Sequence, residues 1–163
     1  MTDTVWGFVR DAQALQHLVA LAIAYLLALP IGWDREQEER SAGLRTFPLV
    51  AIACCGFVQA AELRYGTHPD AMGKIVEGLI TGVGFIGGGA ILKMRNSVRG
   101  TATAASLWAT GAIGTAVGLG AWAVALLLTV LTVMTLRLLT PLKVEATTKA
   151  PEDHETGPPG VER

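Results

Sequence analysis

The chain has 163 residues, room for about one domain. Hydrophobic residues make up 51% of it and charged residues only 17%, below the roughly 25% of soluble domains, and the mean hydropathy is +0.43. Disorder over most of the length, a collagen-like repeat and a disulfide scaffold are excluded, and a net charge of −1 gives no footprint for nucleic-acid binding.

A helix that crosses about 30 Å of hydrocarbon needs roughly 20 mostly apolar residues, so the charge-free windows define the expected elements. The first runs from Ala12 to Trp33 with only His17 near its start. Asp3 and Asp11 precede it and no basic n-region does, so this helix is expected to remain as a span rather than be removed as a signal peptide. Thr46 to Ala61 and Gly78 to Leu92 are shorter, with Glu77 and Lys93 bounding the latter. Gly100 to Leu136 contains no Lys, Arg, Asp, Glu or His and is too long for one straight crossing, so two helices joined at Gly118-Leu119-Gly120 are expected there. The reading is an all-α polytopic membrane bundle with five crossings, near residues 17–33, 47–61, 75–93, 101–118 and 122–139.

Basic residues are divided unequally between the two sets of loops. Arg10, Arg64 and Lys74 fall on one side; Arg35, Arg40, Arg45, Lys93, Arg95, Arg99, Arg137, Lys143, Lys149 and Arg163 fall on the other. The positive-inside rule then places the N-terminus outside and the C-terminus in the cytoplasm. Trp33, Trp122 and Tyr65 lie at expected helix ends, where amphipathic rings prefer the interface. The transmembrane domain is expected over residues 1–140. From Pro141 the composition turns polar and rich in Pro and Gly, so 141–163 is expected to be a disordered cytoplasmic tail.

Gly82-Val83-Gly84-Phe85-Ile86-Gly87 spells a dinucleotide-binding fingerprint, yet no acidic residue occurs between Glu77 and Glu145 to hold a ribose. Two readings of Gly78, Gly82, Gly84, Gly87, Gly88 and Gly89 stand instead. Small residues four apart let helix backbones approach closely, or the triple glycine breaks the helix beside an ion path. Asp34, Arg35 and Glu36 flank the end of the first helix, Arg45 and Thr46 the start of the second, and Arg99 follows the third. They are expected to form a polar cluster at the cytoplasmic face. Glu77 reads either as a dipole-matching residue in the first turn of the third helix or as a cation-attracting group at the outer mouth. Thr103, Ser106 and Trp108 are assigned to helix packing or the same path. Cys54 and Cys55 read as packing residues. His17, His68 and His154 are scattered without ligand spacing, so no cofactor and no catalytic residue is assigned, and a metal, magnesium foremost, is left open.

Three blocks together resemble the MgtC/SapB family of bacterial inner-membrane proteins. They are Gly32-Trp33-Asp34-Arg35-Glu36 with Ala42-Gly43-Leu44-Arg45-Thr46, then Thr81 to Ile91, and Val98-Arg99-Gly100 with Thr103-Ala104-Ala105-Ser106-Leu107-Trp108. Thr101-Ala102-Thr103 departs from the family's usual Leu-Thr-Thr, and Phe47 stands where histidine is frequent. The resemblance is to short members, without the cytoplasmic ACT-like domain of longer ones. It implies an inner-membrane protein tied to magnesium limitation and, in pathogens, to survival in host cells. A membrane-protein partner such as ATP synthase is implied, and self-association is expected through the glycine faces. Regulation of a partner and transport of a cation are the two functions it leaves open.

Overall fold

The computed structural model describes the backbone of residues 2–37, 42–94 and 97–148, with side chains over 12–37, 42–91 and 98–139. Five helices follow in order: α1 (Thr2–Gln37), α2 (Thr46–Tyr65), α3 (Pro69–Gly89), α4 (Thr101–Gly118) and α5 (Trp122–Thr148). Four contain segments long and apolar enough to cross a membrane: Ala12–Gln37, Thr46–Tyr65, Pro69–Gly89 and Trp122–Leu139. The remaining helix, α4, is built largely of Ala, Gly and Thr, and it is the one that packs against all four others.

Residues in α4 take that position because they are small. At Gly114 an added Cβ would fall inside the van der Waals envelope of the Ala51 carbonyl in α2. At Gly118 it would lie 2.7 Å from Val58 Cβ, and at Gly111 it would lie 2.8 Å from a methyl of Val83 in α3. Small side chains let helix backbones approach closely enough for dispersion and Cα–H contacts to hold them in lipid, where burying apolar surface gives no net gain. Larger groups fill the spaces between: Phe47, Ile31, Leu107, Ile113 and Val117 are fully buried. The outward faces of α1 and α5 carry exposed Leu18, Leu26, Leu127 and Leu131, as contact with acyl chains requires. Trp33, Tyr65 and Trp122 are exposed at helix ends, in keeping with interfacial anchoring.

Several boundaries differ from those expected. α2 extends to Tyr65, and its 20 residues rise about 30 Å, a full crossing rather than a short one. α3 starts at Pro69 instead of near 75. Proline in the first turn, with Asp70 beside it, is a helix-start signal that the surrounding charges obscured. Glu77 therefore sits in the third turn, and the residue that complements the dipole is Asp70. At the other end α3 stops at Gly89, short of the expected 93. Gly87 to Gly89 offer the helix three residues of poor propensity, and the chain leaves it as a two-stranded antiparallel hairpin. Strands β1 (Leu92–Met94) and β2 (Ser97–Arg99) pair with Lys93 opposite Val98, so the fold is all-α apart from this hairpin. Gly100 then turns into α4 at φ 88°, with the Ala90 carbonyl where a Cβ would be. The α4–α5 turn has a second positive φ, 73° at Gly120. α5 continues through Pro141 to Thr148, so the expected disordered tail is helical over its first eight residues. The proline removes one hydrogen bond, and the Leu, Lys, Glu and Ala that follow are good helix formers. The rest of that tail, 149–163, lies outside the described residues.

The packing at α4 makes a direct prediction. Gly114→Ala drives a methyl into the Ala51 carbonyl and is expected to destabilise the bundle by about 1–3 kcal/mol. Gly84→Ala meets nothing within 4 Å and leaves stability unchanged or slightly raised. Thermal unfolding of the two variants in detergent, followed by circular dichroism, checks the contrast.

Candidate functional site

Consecutive helices run antiparallel, so the C-terminal ends of α1, α3 and α5 and the N-terminal ends of α2 and α4 gather at one end of the bundle. The charged motifs fall there because they interrupt the apolar windows at those helix ends. In the last turns of α1, Arg35 donates to Asp34 Oδ2 through both Nε (3.1 Å) and Nη2 (2.5 Å). Neighbouring residues on a helix point about a quarter turn apart, so the guanidinium folds back along the helix to reach its partner. Arg35 is only 3% exposed and Asp34 is 12% exposed. The other oxygen, Oδ1, lies 3.8 Å from Nε of Arg137 in α5, which is 59% exposed. Asp34 thus bridges a buried cation on its own helix and a solvent-side cation on the last helix.

Glu36 has a different task. α2 begins with Arg45 at its N-cap in helical geometry and with no side-chain capping bond. Glu36 Oε2 instead accepts the Leu44 N–H at 3.0 Å from across the loop, while the Gly43 carbonyl accepts the N–H groups of Thr46 (3.0 Å) and Phe47 (3.2 Å). A carboxylate placed before the first turn of a helix also meets the positive end of its dipole. Gly43 is required by the same contact, since a Cβ there would collide with Glu36 Oε2. Gly32 lets the loop close on α1: its Cβ would lie 3.2 Å from Leu44 Cα and 3.3 Å from the Gly43 carbonyl. The spacing from Gly32 to Thr46 is therefore one structural unit, in which Phe47 is buried completely beneath the turn.

Of the other residues singled out in the sequence, Arg45 and Arg99 are exposed at this end, and neither forms an ion pair among the described residues. Thr46 is half-buried. Thr103 and Ser106 are buried on α4, where Ser106 Oγ donates to the Thr103 carbonyl (3.0 Å) and Thr110 Oγ1 to the Ser106 carbonyl (2.8 Å). These hydroxyl donors are satisfied within their own helix, which lets them sit in the core. Trp108 lies half-exposed on another face of α4, apart from them.

The α3 glycines separate into two groups. Gly87 packs on the Ala104 carbonyl of α4, with 3.2 Å to an added Cβ. Gly78, Gly82, Gly84, Gly88 and Gly89 have nothing within 4 Å of that position and face away from the bundle or onto an open groove. The glycines that hold helices together within the chain include 111, 114 and 118, spaced three and four apart, a pattern present in the sequence but overshadowed by the denser run in α3. Glu77 is exposed on α3, and its carbonyl accepts Thr81 Oγ1 at 3.0 Å. No group of three or more His, Cys, Asp or Glu side chains close enough to hold a metal occurs among the described residues. The side chains of Lys93 and Arg95 lie outside them.

The buried pair yields a test. Asp34→Asn leaves the Arg35 cation buried without its counter-charge, and loss of one member of such a pair costs about 3–5 kcal/mol. Pairing it with Arg35→Met removes the stranded charge, so the double variant is expected to unfold at a higher temperature than Asp34→Asn alone. Thermal unfolding in lipid nanodiscs checks that order.

Comparison with known proteins is consistent with this arrangement. The model of the MgtC family matches residues 21–144. Protein MgtC of Salmonella typhimurium is 38% identical over 115 residues, which is 71% of this chain and 48% of that protein. Protein MgtC of Brucella abortus is 39% identical over 129 residues, 78% of this chain and 53% of that protein. Protein SrpB of Synechococcus elongatus is 37% identical over 128 residues, 71% of this chain and 70% of that protein. The chain spans about half the length of the two MgtC relatives. No solved structure matches it. With its motif blocks folded into a single membrane bundle and the family match covering most of its length, the chain belongs to the MgtC family.

Proposed function

We propose that this protein is a non-enzymatic regulator of a membrane-protein partner, acting in adaptation to magnesium limitation. The observation that carries the reading is the close packing of the helices around α4. Around α4, Leu107, Ile113 and Val117 are buried, Gly114 abuts the Ala51 backbone, and Gly118 abuts Val58. The sequence has no carboxylate between Gly78 and Val144. A hard divalent ion needs several oxygen ligands, and the side chains packed around α4 are apolar or carry hydroxyls that donate to their own helix. What the protein presents outward is a rigid end with the exposed cations of Arg45, Arg99 and Arg137, held in position by the Asp34 and Glu36 contacts. Such a surface suits an acidic patch on a neighbouring membrane protein. ATP synthase, implied by the family resemblance, is the first partner to examine. In this reading all five helices cross an inner membrane, with the N-terminus outside and the charged end in the cytoplasm, and the outward α3 glycines contact a second copy.

Cation transport is the competing reading, favoured by Glu77, which is exposed on the same helix as the unpartnered glycines. Its path would run between copies along α3. In proteoliposomes, the regulator reading expects no saturable magnesium, potassium or proton flux. It also expects cross-linking to ATP synthase subunits in native membranes that is lost on Arg45→Glu or Arg99→Glu. A saturable flux abolished by Glu77→Gln overturns it. The orientation is checked by reporter fusions at Thr67 and after Thr148, which are expected to report outside and cytoplasm respectively; the reverse result inverts the assignment.

A further inference from the structure

The outward side of α3 is unlike the rest of the surface that faces away from the bundle. Glu77, Thr81, Gly84 and Gly88 are spaced four, three and four residues apart, which puts them on one face of the helix, and Lys74 lies beside them one turn before Glu77. All five are exposed. Val83 and Gly87 are buried toward α4 from another side of the helix, whereas a Cβ at Gly84 or Gly88 would meet nothing within 4 Å. Phe85, next to this stripe, is 85% exposed, so no described part of the chain covers the face.

Depth sets Glu77 apart. It follows Pro69 by eight residues, about 12 Å along the axis, and so lies near the middle of a 21-residue helix about 31 Å long. Where α3 crosses the membrane, this carboxylate faces acyl chains on a side chain too short to reach the headgroups. Charged groups at such depth are costly, and they pair with one another or turn into a protein interior. Neither Glu77 nor Lys74 forms an ion pair among the described residues. A neighbour that covers this face has to offer a cation to Glu77 and a carboxylate to Lys74, one helical turn apart and in the opposite sense. A second copy of the chain offers both. Two copies related by a two-fold axis along the membrane normal set α3 beside α3 in parallel, with Gly84 and Gly88, four residues apart, at the close approach. Lys74 is displaced from Glu77 by three residues, about 4.5 Å of rise, which a lysine stem can span. We propose that the chain pairs with a second copy through this face of α3, the Lys74 ammonium of each copy meeting the Glu77 carboxylate of the other. The proposal rests on the reading that α3 crosses the membrane and touches a second copy, and it adds what that contact recognises. The same patch is used twice, so the contact closes at two copies.

The test is Förster energy transfer between donor- and acceptor-labelled full chains in phosphatidylcholine liposomes over a range of protein-to-lipid ratios. Saturable transfer is expected. Lys74→Glu and Glu77→Lys each set like charges against one another and are expected to weaken association about tenfold or more, while both changes in one chain restore it. Chains carrying Lys74→Glu, mixed with chains carrying Glu77→Lys, are expected to associate with each other in preference to themselves, which a pair formed within one helix does not produce. Gly88→Leu is expected to abolish transfer. All of these are read in variants whose thermal unfolding matches the parent. No saturable transfer in the parent overturns the second-copy contact itself and the proposal with it. Transfer that both single reversals leave unchanged overturns the ion-pair recognition alone, as does a mixed sample without preference.

Discussion

Everything in this fold depends on how close α4 can come to its neighbours. A central helix surrounded by four others must present a narrow surface in several directions, and Gly111, Gly114 and Gly118, with Ala, Ser and Thr around them, make it narrow. The Ala51 carbonyl occupies the space a side chain would need at Gly114. Because lipid is as apolar as leucine, such contacts hold the helices by dispersion and shape, and the hydroxyls of Ser106, Thr110 and Thr115 beside them donate to their own helix. The charged end is positioned by this arrangement, at the start of α4.

The number and order of the helices were legible in the sequence because charge-free windows report the solvent in which a segment sits. Which helix would be central was not. In water, burial and apolarity go together; in a bilayer the lipid-facing surface is as apolar as the core, and here the helix richest in small residues is the most enclosed. The same inversion misdirects attention among the glycines. The dense run in α3 draws the eye, yet most of it looks away from the bundle, while the sparser set in α4 makes the tight contacts.

The charged cluster shows what motif reading can and cannot supply. Proximity of Asp34, Arg35, Glu36 and Arg45 to the membrane ends followed from their positions in the chain. That Arg35 is buried while Arg45 is exposed did not, since both are arginines at a helix end. Nor did the division of labour between two nearby carboxylates, Asp34 neutralising a buried cation and bridging to α5 and Glu36 fastening the loop before α2 at Leu44 N–H. The start of α3 was obscured for a related reason: Lys74 looks like the end of a loop until Pro69 is recognised as the first residue of a helix.

The bond from Leu44 N–H to Glu36 has a mechanical meaning. It ties the entry of α2 to the end of α1, while the first-turn N–H groups of α2 are held by the Gly43 carbonyl. A displacement of α1 along its axis by a few ångströms would pull the carboxylate off Leu44 N–H and press the Glu36 side chain into Gly43 or free it altogether. The two helices are therefore coupled as a single lever, and a load applied to either arm of the hairpin is felt first at the turn between them, where the exposed Arg45 sits.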